Sequence, residues 1–122
     1  MVEKLVEIGI LFDFYGKLLS DRQYTAIELY YIHDFSLAEI GEETGISRQG
    51  VYDTLKRAEQ KLYEYENILG LVNKFKKNRE KISRIAELAV EIETESEKMN
   101  NQIIVEKVGH IKKLARKIID NS

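Results

Sequence analysis

The stretch FSLAEIGEETGISRQGVYDTLKRAEQKL, residues 35–62, restricts the fold of this chain more than any other segment. Ser36 followed three places on by Glu39 is a capping box, in which the hydroxyl accepts from an early backbone N–H and the carboxylate reaches back, so a helix begins at Leu37. That helix ends near Thr44, because Gly45 can take the left-handed conformation that closes a helix. Ser47 then caps a second helix. Its Val51, Leu55, Ala58 and Leu62 recur in steps of four, three and four and form one buried face. Two helices joined by so short a turn need small or apolar residues where they cross. Ile40 and Gly41 stand at that crossing, Ile46 plugs the turn, and Val51 and Leu55 anchor the second helix. The pattern is that of a helix-turn-helix, although Thr44 and Thr54 stand where many such motifs carry aliphatic residues.

With the anchors turned inward, the second helix presents Arg48, Gln49, Tyr52, Asp53, Lys56, Arg57 and Gln60 to solvent. A recognition helix places its N-terminal residues against base edges in the major groove. Arg48 suits a bidentate contact to guanine and Gln49 one to adenine. Tyr52 suits a thymine methyl or a phosphate, while Lys56, Arg57 and Lys61 suit phosphates, which fix register rather than sequence. Ser47, at the helix N-terminus, suits a further phosphate. Asp53 fits poorly beside phosphates; it either accepts from cytosine or pairs with Arg57 one turn on.

The remaining segments also read as helices. Leu5, Ile8, Phe12, Tyr15 and Leu19 fall on one face of a first helix. Ser20 and Gln23 form another capping box, and the helix they open runs to about Ile32, burying Tyr24, Ile27 and Tyr31 or their neighbours. His33, Asp34 and Phe35 link it to the motif. Beyond a fade around Asn67 to Gly70, the residues Leu71, Phe75, Asn78, Ile82, Ile85, Ala89 and Ile92 alternate steps of four and three, the spacing of a heptad seam. Met99, Asn100 and Asn101 mark a turn. A last helix carries Ile104, Val108, Ile111, Ala115 and Ile118 at the same spacing. No strand pattern and no internal repeat is present, and the absence of proline permits long helices. The expected fold is therefore all-α, with a helix-turn-helix domain over residues 1–70 and a helical extension over 71–122.

Composition narrows the function. The net charge of −2 excludes an indiscriminate polyanion binder. Residues 1–70 hold 7 Lys+Arg against 13 Asp+Glu, a balance of −6, whereas residues 71–122 hold 12 against 8, a balance of +4. The acidic half thus contains the motif expected to meet nucleic acid, and the asymmetry points to two functional parts. There is no cysteine, hence no disulfide framework and no thiolate metal site. Charges at Glu3, Lys4, Glu7 and Asp13 interrupt the apolar N-terminus, which is neither a signal peptide nor a membrane span. A cytoplasmic protein with no membrane association is expected. His33 and His110 lie far apart in sequence, and Glu91, Glu93, Glu95 and Glu97 are scattered around a helix by their spacing of two, so neither set makes a metal site. Tyr24, Tyr30, Tyr31, Tyr63 and Tyr65 read as core or rim residues rather than base-stacking platforms. Lys112, Lys113, Arg116 and Lys117 read first as a charged helix end that complements the dipole, and alternatively as a second phosphate-binding patch. No catalytic residues, cofactor, metal or small-molecule substrate is expected, and the chain does not read as an enzyme.

Residues 21–62, an aromatic-rich helix followed by LAEIGEETGISRQGVYDTLKRAEQKL, resemble region 4 of bacterial sigma factors. More closely, the whole chain resembles the YlxM family of small helix-turn-helix proteins, with SRQGVYDTLKR the most similar part and the acidic front half and charged helical tail in agreement. The resemblance implies nucleic-acid contacts at Ser47, Arg48, Gln49, Tyr52, Lys56 and Arg57. It also implies a regulatory or accessory role in the signal recognition particle pathway, since such proteins are commonly encoded beside the particle's GTPase or its receptor. The chain lacks the other promoter-reading and polymerase-binding regions of a sigma factor, so it is not expected to act as one alone. The two tail seams cannot bury themselves in an isolated hairpin, which leads to the expectation of a homodimer through residues 71–119. The rival class is a protein-interaction or RNA-associated module whose tail binds the signal recognition particle GTPase.

Overall fold

A computed structural model describes residues 2–120, and these form six α-helices with no strand among the described residues. The helices are α1 (Val2–Tyr15), α2 (Asp21–Ile27), α3 (Leu37–Thr44), α4 (Arg48–Leu69), α5 (Leu71–Lys98) and α6 (Gln102–Asp120). They fall into two compact units, the first ending at Val72 and the second beginning at Asn73.

In the first unit α4 is the central helix, and α1, α2 and α3 all pack on it. Its Val51, Leu55, Ala58 and Leu62 are buried together with Ile8, Leu11, Phe12, Tyr15, Ile27 and Ile40. The expected residues Ile8, Phe12, Tyr15 and Leu19 are buried and Leu11 joins them, whereas Leu5 remains half exposed. Both capping boxes form. Ser20 accepts from Gln23 N–H while Gln23 accepts from Ser20 N–H, and Ser36 and Glu39 do the same at α3. Glu39 is held below the usual carboxylate range by the backbone N–H and hydroxyl of Ser36.

The segment after α2 departs from a regular helix. Residues Glu28–Ile32 form a π-turn, in which His33 N–H reaches Glu28 O at 3.1 Å. Phe35 N–H reaches Leu29 O at 2.9 Å, and Asp34 between them takes φ 59°. The extra residue in the turn re-phases the helix, so Leu29, Tyr31 and Phe35 pack on the core while Tyr24 and Tyr30 stay at the rim.

A polar clasp closes the end of α4. Gly70 takes φ 61° and donates to Glu66 O at 2.8 Å. The buried Tyr15 hydroxyl donates to the Glu66 carboxylate and accepts from Leu71 N–H at 3.0 Å, and Glu66 also accepts from Val72 N–H at 3.1 Å. Side chains of α1 and α4 thus satisfy the first amides of α5, which have no partner within their own helix. Burial, with the neighbouring Glu66 carboxylate, pushes the Tyr15 phenol up.

In the second unit α5 and α6 form an antiparallel hairpin. Asn100 takes φ 55° in the turn, Asn101 N–H donates to Ser96 O at 3.0 Å, and the Asn101 side chain caps α6 by accepting from Ile104 N–H at 3.2 Å. Lys112 Nζ lies 3.1 Å from both carboxylate oxygens of Glu93 and fixes the register. Of the expected seams only the small members are buried, Ala89, Val108 and Ala115, joined by Ser96. Ile85, Ile92, Ile104, Ile111 and Ile118 are exposed beside them. The hairpin's facing line runs along these small residues, and the large aliphatics lie to one flank of it. No helix among the described residues is long and apolar enough to cross a membrane.

Candidate nucleic-acid interface

The turn between α3 and α4 is built around Ile46, gripped by glycines on both sides. Gly45 takes φ 73°, and the N–H groups of Gly45 and Ile46 converge on Gly41 O at 2.9 and 3.1 Å. A Cβ on Gly41 would stand 2.6 Å from the Ile46 carbonyl oxygen, so only glycine fits where the two helices meet. A Cβ on Gly50 would stand 2.7 Å from Ile46 Cγ2, a tightness whose role the sequence pattern alone did not assign. Ile40, Val51 and Leu55 are buried beneath the turn and Ile46 is half buried over them. The two threonines where aliphatics are common satisfy themselves locally. Thr44 donates to Ile40 O at 2.6 Å and Thr54 to Gly50 O at 2.9 Å.

Ser47 caps α4 by accepting from Gly50 N–H at 3.0 Å. Its hydroxyl hydrogen remains available to an anion, beside the free amides of the first turn. Ser47, Arg48, Gln49, Tyr52, Lys56 and Arg57 are all exposed. Arg48, Gln49 and Tyr52 line a shallow groove with Leu37 from the start of α3, a residue that sequence reasoning left out of the site. Its signal was its spacing of four from Gly41, which puts it one turn back on the face of α3 that meets the start of α4.

Several of the expected contact residues already have partners. Gln49 Nε2 donates to Asp53 Oδ1 at 3.1 Å, so Asp53 holds Gln49 rather than Arg57. Lys56 Nζ lies 5.5 Å over the Tyr52 ring and 3.7 Å from Glu59 Oε2. Glu59 is the buried carboxylate of the unit. It accepts from the Tyr31 hydroxyl and pairs with Lys4 Nζ at 3.5 Å, which ties α1, the π-turn and α4 together. Burial and this carboxylate push the Tyr31 phenol well up, and burial followed by Glu7 raises Tyr63. Lys61 pairs with Glu64 at 3.8 Å on the surface. Arg48 and Arg57 have no ion-pair or hydrogen-bond partner among the described residues, so both guanidinium groups are available. No group of three or more His, Asp or Glu among the described residues is arranged to hold a metal ion.

The sequence is related to a set of short bacterial proteins. A UPF0122 protein of Caldanaerobacter subterraneus subsp. tengcongensis is 51% identical over 87 residues, which is 71% of this chain and 74% of that protein. One from Halalkalibacterium halodurans is 46% identical over 99 residues, covering 81% and 90%. One from Bacillus thuringiensis is 42% identical over 103 residues, covering 84% and 94%. No solved structure matches significantly. Residues 2–102, spanning the turn, its flanking helices and all of α5, match the family UPF0122 of helix-turn-helix proteins described as YlxM / p13 like, and the chain belongs to that family.

Proposed function

We propose that this protein is a regulatory DNA-binding protein that reads a duplex with the N-terminal turns of α4. The observation that carries the reading is the two exposed guanidinium groups, Arg48 and Arg57, which have no partner among the described residues and stand on opposite flanks of a helix entered through a tightly built turn. Arg48 stands at the helix start, where base edges are met, and Arg57 more than two turns on, where a backbone phosphate runs. Gln49, aimed by Asp53, offers its carbonyl and remaining N–H to an adenine edge. Two copies joined through the helical tail would present two such helices to two half-sites. Binding by positioning and hydrogen bonding requires no catalytic group. Arg48→Ala is expected to weaken binding to a selected duplex by about 1–3 kcal/mol and to relax preference at one base pair. Equal affinity of wild type and variant for selected and scrambled duplexes refutes the assignment.

A second reading is favoured by the engagement of Gln49 with Asp53 and of Lys56 with Glu59 in an acidic unit. Here the helix-turn-helix is a scaffold and the helical tail binds a protein, such as the signal recognition particle GTPase that the family resemblance implies. Salt separates the two. Affinity for a duplex falls steeply with ionic strength through counterion release, and docking through aliphatic side chains does not.

A further inference from the structure

The α5/α6 hairpin is half of a structure. Ala89, Ser96, Val108 and Ala115 mark its facing line, and Glu93 and Lys112 seal one margin. At roughly 100° per residue, Ile85, Leu88 and Ile92 lie about 40–100° to the other side of the α5 line. Ile104, Ile111 and Ile118 lie about 40–80° to the corresponding side of the α6 line. In an antiparallel pair these offsets fall on one common side of the hairpin. Each of the six is 39–51% exposed. Together they leave roughly 500 Å² of contiguous aliphatic surface, at the upper end of what a monomer keeps open. Buried in two copies the face removes about 1,000 Å² from water before any rim is counted, close to the least area a specific interface needs.

Charge selects the occupant and its orientation. Residues 85–98 of α5 carry five glutamates and one lysine, whereas α6 carries five Lys+Arg and two acids. A face bordered by one acidic and one basic helix is self-complementary under a two-fold rotation parallel to the helices, which lays α5 of each copy over α6 of the other. The alternative two-fold, perpendicular to the helices, lays α5 on α5 and brings the glutamates together. We therefore propose that the open face docks a second copy of this chain as an antiparallel four-helix bundle, with α5 of one copy against α6 of the other. The proposal deepens the dimer stated above by naming its face and pairing. A parallel axis preserves height along the bundle, and Lys112 stands at the height of Glu93. Ile92 of one copy therefore meets Ile111 of the second.

Because the chain has no cysteine, an introduced thiol is its only one. Full-length Ile92→Cys and Ile111→Cys variants, one carrying a mass tag, are mixed, allowed to exchange subunits and oxidised. The expected product is a disulfide joining one chain of each kind, with little cross-linking of either variant alone. Self-cross-linking of Ile92→Cys overturns the pairing while leaving a dimer. A monomeric mass for the wild type in sedimentation equilibrium at tens of micromolar overturns the pairing and the dimer together. Ile111→Lys is expected to shift the wild-type dimer mass to that of a monomer with its helical circular dichroism retained. A retained dimer mass places the interface elsewhere and overturns the proposal. Arg48→Ala leaves the mass unchanged, so the outcome is independent of whether α4 reads DNA.

Discussion

Gly41→Ala tests whether the helix-turn-helix is held by a steric requirement or merely by helix propensity. Gly41 lies inside α3, where alanine is intrinsically favoured by about 1 kcal/mol. Against that gain, the new Cβ would stand 2.6 Å from the Ile46 carbonyl oxygen and 3.7 Å from Arg48 N. The 2.6 Å contact is with backbone, so relief requires α3 and α4 to separate, which loosens Ile40 and Val51 beneath. Over-packing of this kind costs about 1–3 kcal/mol, and the backbone character of the clash puts it at the upper end. The net expectation is a loss of roughly 1–2 kcal/mol after the propensity gain. Gly9 provides the internal control. It also lies within a helix of the first unit, and a Cβ there meets nothing within 4 Å, so Gly9→Ala is expected to stabilise by roughly 0.5–1 kcal/mol. Urea unfolding followed by circular dichroism reads both variants against the wild type. If Gly41→Ala is as stable as Gly9→Ala, the close crossing at the turn is not what holds the two helices, and the reasoning fails.

Other outcomes follow from the same geometry. Tyr31→Phe removes the donor to buried Glu59 and is expected to cost about 1.5–3 kcal/mol in urea unfolding, reduced where the pair is solvated; an unchanged midpoint would show that Lys4 and Lys56 suffice. The phenols of Tyr15, Tyr31 and Tyr63 all titrate above their ordinary value of 10.0 in the folded protein. The unfolded chain therefore loses these protons first, and stability is expected to be complete below pH 10 and to fall as the pH rises beyond it, less steeply in Tyr31→Phe. A flat stability profile to strongly alkaline pH contradicts this. Arg57→Ala should lower the salt slope of duplex binding by about 0.9, one phosphate contact, and Lys56→Ala by less because Glu59 already engages that ammonium. A salt slope left unchanged by Arg57→Ala would remove Arg57 from the interface.

What the sequence made legible was local. The serine–glutamine and serine–glutamate boxes, the left-handed glycine at the turn and the anchors of α4 each depend on residues within a turn or two of one another, and each appears as read. What it concealed depends on distant partners. A glutamate at position 59 reads as solvated until the π-turn brings the Tyr31 hydroxyl to it. That π-turn has no local signature, since the added residue is favoured by where Leu29 and Phe35 must pack. In α5 and α6 a row of small residues runs beside a row of large aliphatics, both at helical spacing. Periodicity alone does not choose between them; in the hairpin the row of alanine, serine and valine is buried and the isoleucines lie beside it. On the exposed face of α4, spacing identified the exposed residues but not the neighbours that hold Gln49 and Lys56.

The clasp of Tyr15 and Glu66 on the first amides of α5 bears on where the chain can be divided. Gly70 looks like the natural place to cut, because the helix breaks there. A fragment ending at Gly70 would take away the Leu71 and Val72 amides that donate to the Tyr15 hydroxyl and the Glu66 carboxylate in the core of the first unit. A fragment ending after Val72 keeps both donors and the buried Val72 side chain. The helix-turn-helix unit thus carries the opening residues of the next helix as part of its own core, and its boundary is set by hydrogen bonds rather than by the visible break in the helix.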